Sequence, residues 1–186
     1  MTLKAPTEVM VRFHEVALKG KNRPTFIRQL VENIRRATVG IGVKQVWAGR
    51  MLVRISLEET ADWETIRSRV SRVFGAVKFA PAYRTELDYD DIAANVADRK
   101  FESFRITAHR ADKAFAMTSN ELNIKLGSMV NVQTGARVDL KNPDLEIKVD
   151  LMPREAFVWA DEYPADGGLP VGTGGRVTVL MSGGID

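Results

Sequence analysis

The chain has 186 residues, with 27 Lys and Arg against 24 Asp and Glu, a net charge of +3 and no cysteine. The missing thiol excludes disulfides, thiolate metal sites, a persulfide carrier and a cysteine nucleophile. No apolar run approaches the roughly 20 residues of a spanning helix and the N-terminus lacks a secretory layout, so a soluble, cytoplasmic protein of two compact units is expected.

From Glu8 to Phe13 an apolar stretch reads as a strand. Pro24 then opens a helix whose apolar residues Phe26, Ile27, Leu30, Val31 and Ile34 share one face, with Asn22 or Arg23 outside it as the cap. Val43–Ala48 and Met51–Leu57 meet at Gly49-Arg50 as a hairpin. Asp62 and Glu64 suit a helix start, and Trp63, Ile66, Val70 and Val73 make its apolar stripe. A strand over Val77–Tyr83 completes the order strand, helix, strand, strand, helix, strand of a ferredoxin-like unit.

Asp88, Asp90 and Asp91 mark a composition shift and the start of a short helix holding Ile92 and Val96. Phe104, Ile106 and Ala108 alternate with polar residues as a half-buried strand. Thr118 and Glu121 have the spacing of a capping box, predicting a helix over 119–132. Leu145–Leu151 and Ala156–Trp159 supply two further strands, with Asn142-Pro143 a turn before the first. After Tyr163 the Gly-rich stretch 167–175 reads as a linker. It leads into an apolar strand over Arg176–Met181 and then Ser182-Gly183-Gly184-Ile185-Asp186, which has the composition of a phosphate-binding loop opening. The expected class is α+β: an N-terminal ferredoxin-like (βαββαβ) domain over 1–78, an α/β domain over 79–165, a linker over 166–176, and 177–186 opening a further unit.

Residues 1–60 carry 11 cations and 5 anions, whereas 61–186 carry 16 and 19. The positive field therefore sits at the N-terminal end, as in a protein that docks on phosphates. Lys19, Lys21 and Arg23, with Asn22 among them, flank a helix N-terminus where free N–H groups add to their charge. Arg110 and Lys113 leave the end of a strand, and Lys125 projects from the following helix, so the three could line one groove. Phe115 could stack on a base, although a core position suits it better. His14 and His109 lack a metal-ligand pattern, and Trp47, Trp63 and Trp159 default to packing.

Several motifs carry a family resemblance in chain order: Leu18-Lys19-Gly20-Lys21-Asn22-Arg23, His109-Arg110-Ala111-Asp112-Lys113-Ala114-Phe115, Val138-Asp139-Leu140-Lys141-Asn142-Pro143-Asp144, Gly168-Leu169-Pro170-Val171-Gly172-Thr173 and the terminal Ser-Gly-Gly-Ile-Asp. Together they resemble the tRNA 4-thiouridine synthetases, including their THUMP domain and the first residues of the PP-loop signature. His14 stands where that family usually has Gly, and Ala116 where it usually has Pro. The resemblance implies that 79–165 is a THUMP domain gripping the single-stranded acceptor end of tRNA, with Lys141 joining the RNA-binding set. It also implies that Leu180, Met181, Ser182, Gly183, Gly184 and Asp186 begin an incomplete ATP site. The full-length family uses ATP and Mg to adenylate uridine 8 of tRNA, takes sulfur from a persulfide donor, a cysteine desulfurase, and is linked to thiamine thiazole. By that resemblance this chain looks like an N-terminal fragment: a mostly monomeric tRNA-binding module without its PP-loop catalytic domain, holding no cofactor and inactive alone. The alternatives are an ATP-binding subunit completed by a partner chain and a protein-interaction scaffold.

Overall fold

The structure is a computed structural model that describes residues 6–49, 52–97, 99–110, 117–175 and 178–179. Its elements are β1 (Glu8–Arg12), α1 (Arg23–Ala37), β2 (Val43–Ala48), β3 (Leu52–Leu57), α2 (Trp63–Val70), β4 (Lys78–Glu86), α3 (Tyr89–Ala97), β5 (Ser103–Arg110), α4 (Ser119–Thr134), β6 (Arg137–Val138), β7 (Leu145–Leu151), β8 (Glu155–Trp159) and β9 (Tyr163–Pro164). The α+β class and the ferredoxin-like order of the first unit hold. The two-residue strands β6 and β9 were not foreseen, being too short to show alternation. Of the strand expected over 176–181 only Thr178 and Val179 are described, and neither lies in a strand.

All the described strands join one sheet in the order β2-β3-β1-β4-β8-β7-β5-β6, with β9 added beside β4. The joint is β4, which runs past the expected Tyr83 to Glu86. Lys78–Ala82 pairs antiparallel with β1, and Tyr83–Glu86 pairs antiparallel with β8. The strand is long because it has a different partner on each half, a non-local cause that no local pattern announces. Beyond β8, β7 pairs antiparallel with β8, while β5 runs parallel to both β7 and β6.

Side chains directly opposite across antiparallel strands share a face, so the register shows on which side the helices lie. Val9 and Val11 oppose Pro81 and Phe79, and Val9, Val11 and Phe79 pack with Leu30, Ile34, Ile66 and Val70 of α1 and α2. Tyr83, on that same face of β4, opposes Val158, which packs with Ile92, Leu122 and Leu126 of α3 and α4. All four helices therefore cover one face. On the other, Met10, Ala80, Ala82, Phe157 and Trp159 form a third apolar cluster that charged side chains roof over. The Arg54 guanidinium lies 4.5 Å from the Phe157 ring and that of Arg12 5.5 Å from the Trp159 ring, so both cations sit against the aromatic rings of this cluster.

The Gly-rich stretch after β9 is not a free tether. Asp166 N–H donates to Ser71 O (3.0 Å), Gly167 N–H to Ala76 O (2.7 Å) and Gly75 N–H to Gly167 O (2.6 Å). Pro170 is buried, and Asn33 Nδ2 donates to Val171 O at 3.0 Å. The stretch was expected to be a linker; in the structure backbone hydrogen bonds fix it to the first unit.

Candidate nucleic-acid interface

Two short 3-10 turns, Glu15–Leu18 and Gly20–Asn22, carry the chain from β1 into α1, and buried Val16 pins the first of them. The second turn runs directly into the helix. Arg23 is consequently its first helical residue and not a cap, and Asn22, already in αR conformation, makes no capping hydrogen bond. Lys19 places its Nζ 5.4 Å from the centre of the Phe26 ring, while Lys21 is exposed. Arg23 is half-buried and turns toward a groove between α1 and β2 that also carries Arg28 and Arg35.

In the second unit the capping box forms as expected. Glu121 N–H donates to Thr118 Oγ1 at 3.2 Å, and Thr118 N–H to Glu121 Oε2 at 2.6 Å. The hydrogen bonds from Thr118 hold the Glu121 carboxyl below its usual range. Arg110, the last residue of β5, donates from Nη1 to Met117 O at 2.8 Å, tying the strand end to the start of α4. Lys125 lies with Nζ 4.0 Å above the Tyr89 ring, and Tyr89 OH donates to Met117 Sδ at 3.7 Å. Arg110, Lys125 and Tyr89 are thus gathered around Met117, at one end of the parallel pair β5–β7. Sequence reasoning missed Tyr89, whose place after an acidic cluster marked only a helix start. It also missed Asn123, whose Oδ1 accepts from Ala108 N–H at 2.8 Å beyond the reach of short β6. Lys113 and Phe115 lie outside the described residues, as do Leu180, Met181, Ser182, Gly183, Gly184 and Asp186.

The expected basic set is not one surface. Lys141 sits in the bend between β6 and β7, where Asp139 Oδ1 accepts the N–H groups of Lys141 and Asn142, each at 3.0 Å. That bend precedes Leu145, which pairs with Phe104, whereas Arg110 pairs with Leu151. Six residues at about 3.3 Å each put Lys141 roughly 20 Å from Arg110, at the opposite end of the strands. Likewise Lys19 to Arg23 follow Arg12, opposite Lys78, while the Arg110 row meets β4 near Thr85 by way of Leu151 and Ala156. The set divides into an α1 group, an α4 group and an isolated Lys141. Among the described residues no cluster of His, Asp or Glu could hold a metal ion, and no helix is long and apolar enough to cross a membrane.

Residues 8–80 match the ThiI ferredoxin-like domain and residues 84–161 the THUMP domain. A probable tRNA sulfurtransferase of Thermus thermophilus is 42% identical over 178 residues, covering 94% of this chain and 44% of that protein. One from Enterococcus faecalis is 37% identical over 187 residues, covering 97% and 46%. The chain therefore spans less than half the length of these relatives. Among solved structures, a 4-thiouridine synthetase in complex with RNA and ATP superposes with a TM-score of 0.75 at 29% identity, over 96% of this chain and 47% of that one. A protein from Pyrococcus horikoshii gives 0.78 at 27% identity, over 89% and 57%.

Proposed function

From the premise that the chain belongs to the ThiI ferredoxin-like and THUMP domain families, in that order, we propose that it is a tRNA-binding module that takes the single-stranded acceptor end. The observation that carries this reading is the gathering of Arg110, Lys125 and Tyr89 at one end of β5 within the THUMP domain. Two cations there can meet phosphates, and an aromatic ring offers a face for an unstacked base or a ribose. Relatives that bear the name tRNA sulfurtransferase and a structural neighbour bound to RNA support it. The α1 group adds cationic charge near the helix start, where backbone N–H groups also point outward.

ATP-dependent adenylation of tRNA and persulfide transfer belong, in this proposal, to a longer protein in which the pair is joined to a PP-loop domain. Residues 180–186 would open its ATP site, and no chemical step is drawn through them.

Titrating the chain with a tRNA carrying an intact 3′ end, and with the same tRNA trimmed of it, at two salt concentrations tests the reading. Tighter binding of the intact tRNA, weakened by salt as counterions are recaptured, is expected. Lys125→Ala should narrow the difference between the two RNAs, and Lys19→Ala/Lys21→Ala should make the salt dependence shallower by roughly two cations' worth. Equal binding of both tRNAs by the unaltered chain would reduce the module to a nonspecific basic surface.

A further inference from the structure

We propose that Met117 is an oxidation-sensitive modification site: conversion of its thioether to the sulfoxide by hydrogen peroxide loosens the start of α4 and lowers the affinity of the α4 group for RNA. The inference rests on the tRNA-binding reading above and adds to it a means of control at the same place.

The chain has no cysteine and 7 methionines, so its sulfur chemistry is that of thioethers. Among the described residues Met10 is 1% exposed, while Met129 and Met152 are partly buried against apolar clusters and take no hydrogen bond on sulfur. Met117 is placed differently. Its Sδ accepts from Tyr89 OH at 3.7 Å, the Tyr89 ring carries Lys125 Nζ at 4.0 Å, and its carbonyl accepts from Arg110 Nη1 at 2.8 Å. It also stands just before Thr118, the N-cap of α4, and packs on the cluster that includes Leu122. Residues in those two places, before the cap and at the fourth helical position, form the hydrophobic staple that fixes how a chain enters a helix.

Met117 is partly exposed, and its hydrogen bond to Tyr89 leaves the other lone pair of the sulfur open to an oxidant. In the reaction the sulfur attacks one peroxide oxygen: the O–O bond breaks, an S–O bond forms, and the proton on the transferred oxygen passes to the departing hydroxide, giving water. The thioether is oxidised and the peroxide is reduced. The product has a strong acceptor in place of a weak one and a polar side chain in place of an apolar one. The sulfoxide oxygen then competes with a phosphate for Lys125 and the Tyr89 hydroxyl, and its partial negative charge opposes the phosphate directly. Polarity in the staple also weakens packing on Leu122, which is fully buried. Because enzymes reduce methionine sulfoxide back to methionine, the change can be undone.

Hydrogen peroxide treatment of the full chain, with peptide mass spectrometry to locate the sulfoxides, tests this alongside Met117→Leu, a swap of similar volume. Treatment should oxidise Met117 in the unaltered chain and weaken binding of a tRNA with an intact 3′ end roughly three- to tenfold, the worth of about one hydrogen bond. Met117→Leu, compared with its own untreated sample, should hold its affinity. Met117 staying reduced while Met129 and Met152 oxidise overturns the proposal, as does undiminished affinity once Met117 is oxidised. An equal loss of affinity in the treated variant overturns it too, because the damage would then lie elsewhere. Amide exchange at Leu122, whose N–H donates to Thr118 O at 3.0 Å, reads the helix start without RNA. It should quicken in the oxidised chain and not in the treated variant; unchanged exchange overturns the proposal. If exchange quickened but the untreated chain bound intact and trimmed tRNA alike, the modification site would stand and the acceptor-end reading would fall.

Discussion

Arg54 is enclosed by four side chains from three other strands. Trp47 lies 4.2 Å from its guanidinium on β2 and Phe157 4.5 Å away on β8. Glu155 accepts from Nη1 at 2.9 Å, and Glu8, only 2% exposed, stands 3.7 Å from Nε. Burial pushes the Glu8 carboxyl up to about 7 although Arg54 pulls it down. The folded chain therefore keeps a proton that the unfolded chain releases near pH 4.5, and stability should fall as pH rises from about 4.5 to 7, then level off. Urea melts of the unaltered chain and of Glu8→Gln between pH 4 and 8 should show that decline in the first and its flattening in the second. Parallel pH profiles would mean that Glu8 is ionised throughout. None of this was legible from residue 8 itself, since an acid at a strand start is ordinarily solvated and its surroundings come from residues as distant as Glu155. By contrast, the Thr118–Glu121 box was legible because both partners lie within one turn. Asn22 shows the converse: the right residue type preceded the helix, but the 3-10 turn before it had already fixed the backbone.

Besides its hydrogen bonds, the segment after β9 packs through one close approach. Gly75 has φ +99°, and a Cβ there would stand 2.8 Å from Pro170 Cγ and 3.2 Å from Leu30 Cδ1. Gly75→Ala should therefore cost about 1–3 kcal/mol through the backbone conformation and the clash together. It should also loosen residues 165–172, read as faster amide exchange at Gly167 relative to the core strands. Exchange unchanged at Gly167 would show that the hydrogen bonds alone hold the segment. Composition could not reveal this docking, because glycine leaves no side-chain pattern to read and the bonds are made by the backbone. At the end of α4 a glycine acts locally: Gly135 stops the helix at φ +72°, with its N–H donating to Asn131 O at 2.8 Å.

At the scale of the molecule the two family domains share a strand and a network of charges. Glu162 accepts from Lys78 of β4 at 2.6 Å and from Lys148 of β7 at 2.9 Å. Against the effect of burial, the two lysines hold its carboxyl down at about 2. A chain joined this way should unfold in one calorimetric transition, with the van't Hoff and calorimetric enthalpies equal. Val11→Ala, in the core under α1 and α2, should lower the stability of β7 in the other domain by the same amount as that of β1, about 2 kcal/mol. Two resolved transitions, or protection of β7 left untouched, would separate the domains energetically. The order of elements was readable because each helix and most strands carry their own periodicity. The fusion of the sheets was not, since it depends on Tyr83–Glu86 finding β8 some 70 residues later.

The shared strand also sets a rule for anyone dissecting the protein. A truncation that removes β4 bares the hydrogen-bonding rim of β8, whose Ala156-Phe157-Val158-Trp159 run is apolar and carries no charge. Such an open rim recruits strands from other molecules. A piece beginning after Glu86 should consequently aggregate more readily than one beginning before Lys78, so the THUMP half is better expressed with a strand that the ferredoxin-like half also uses.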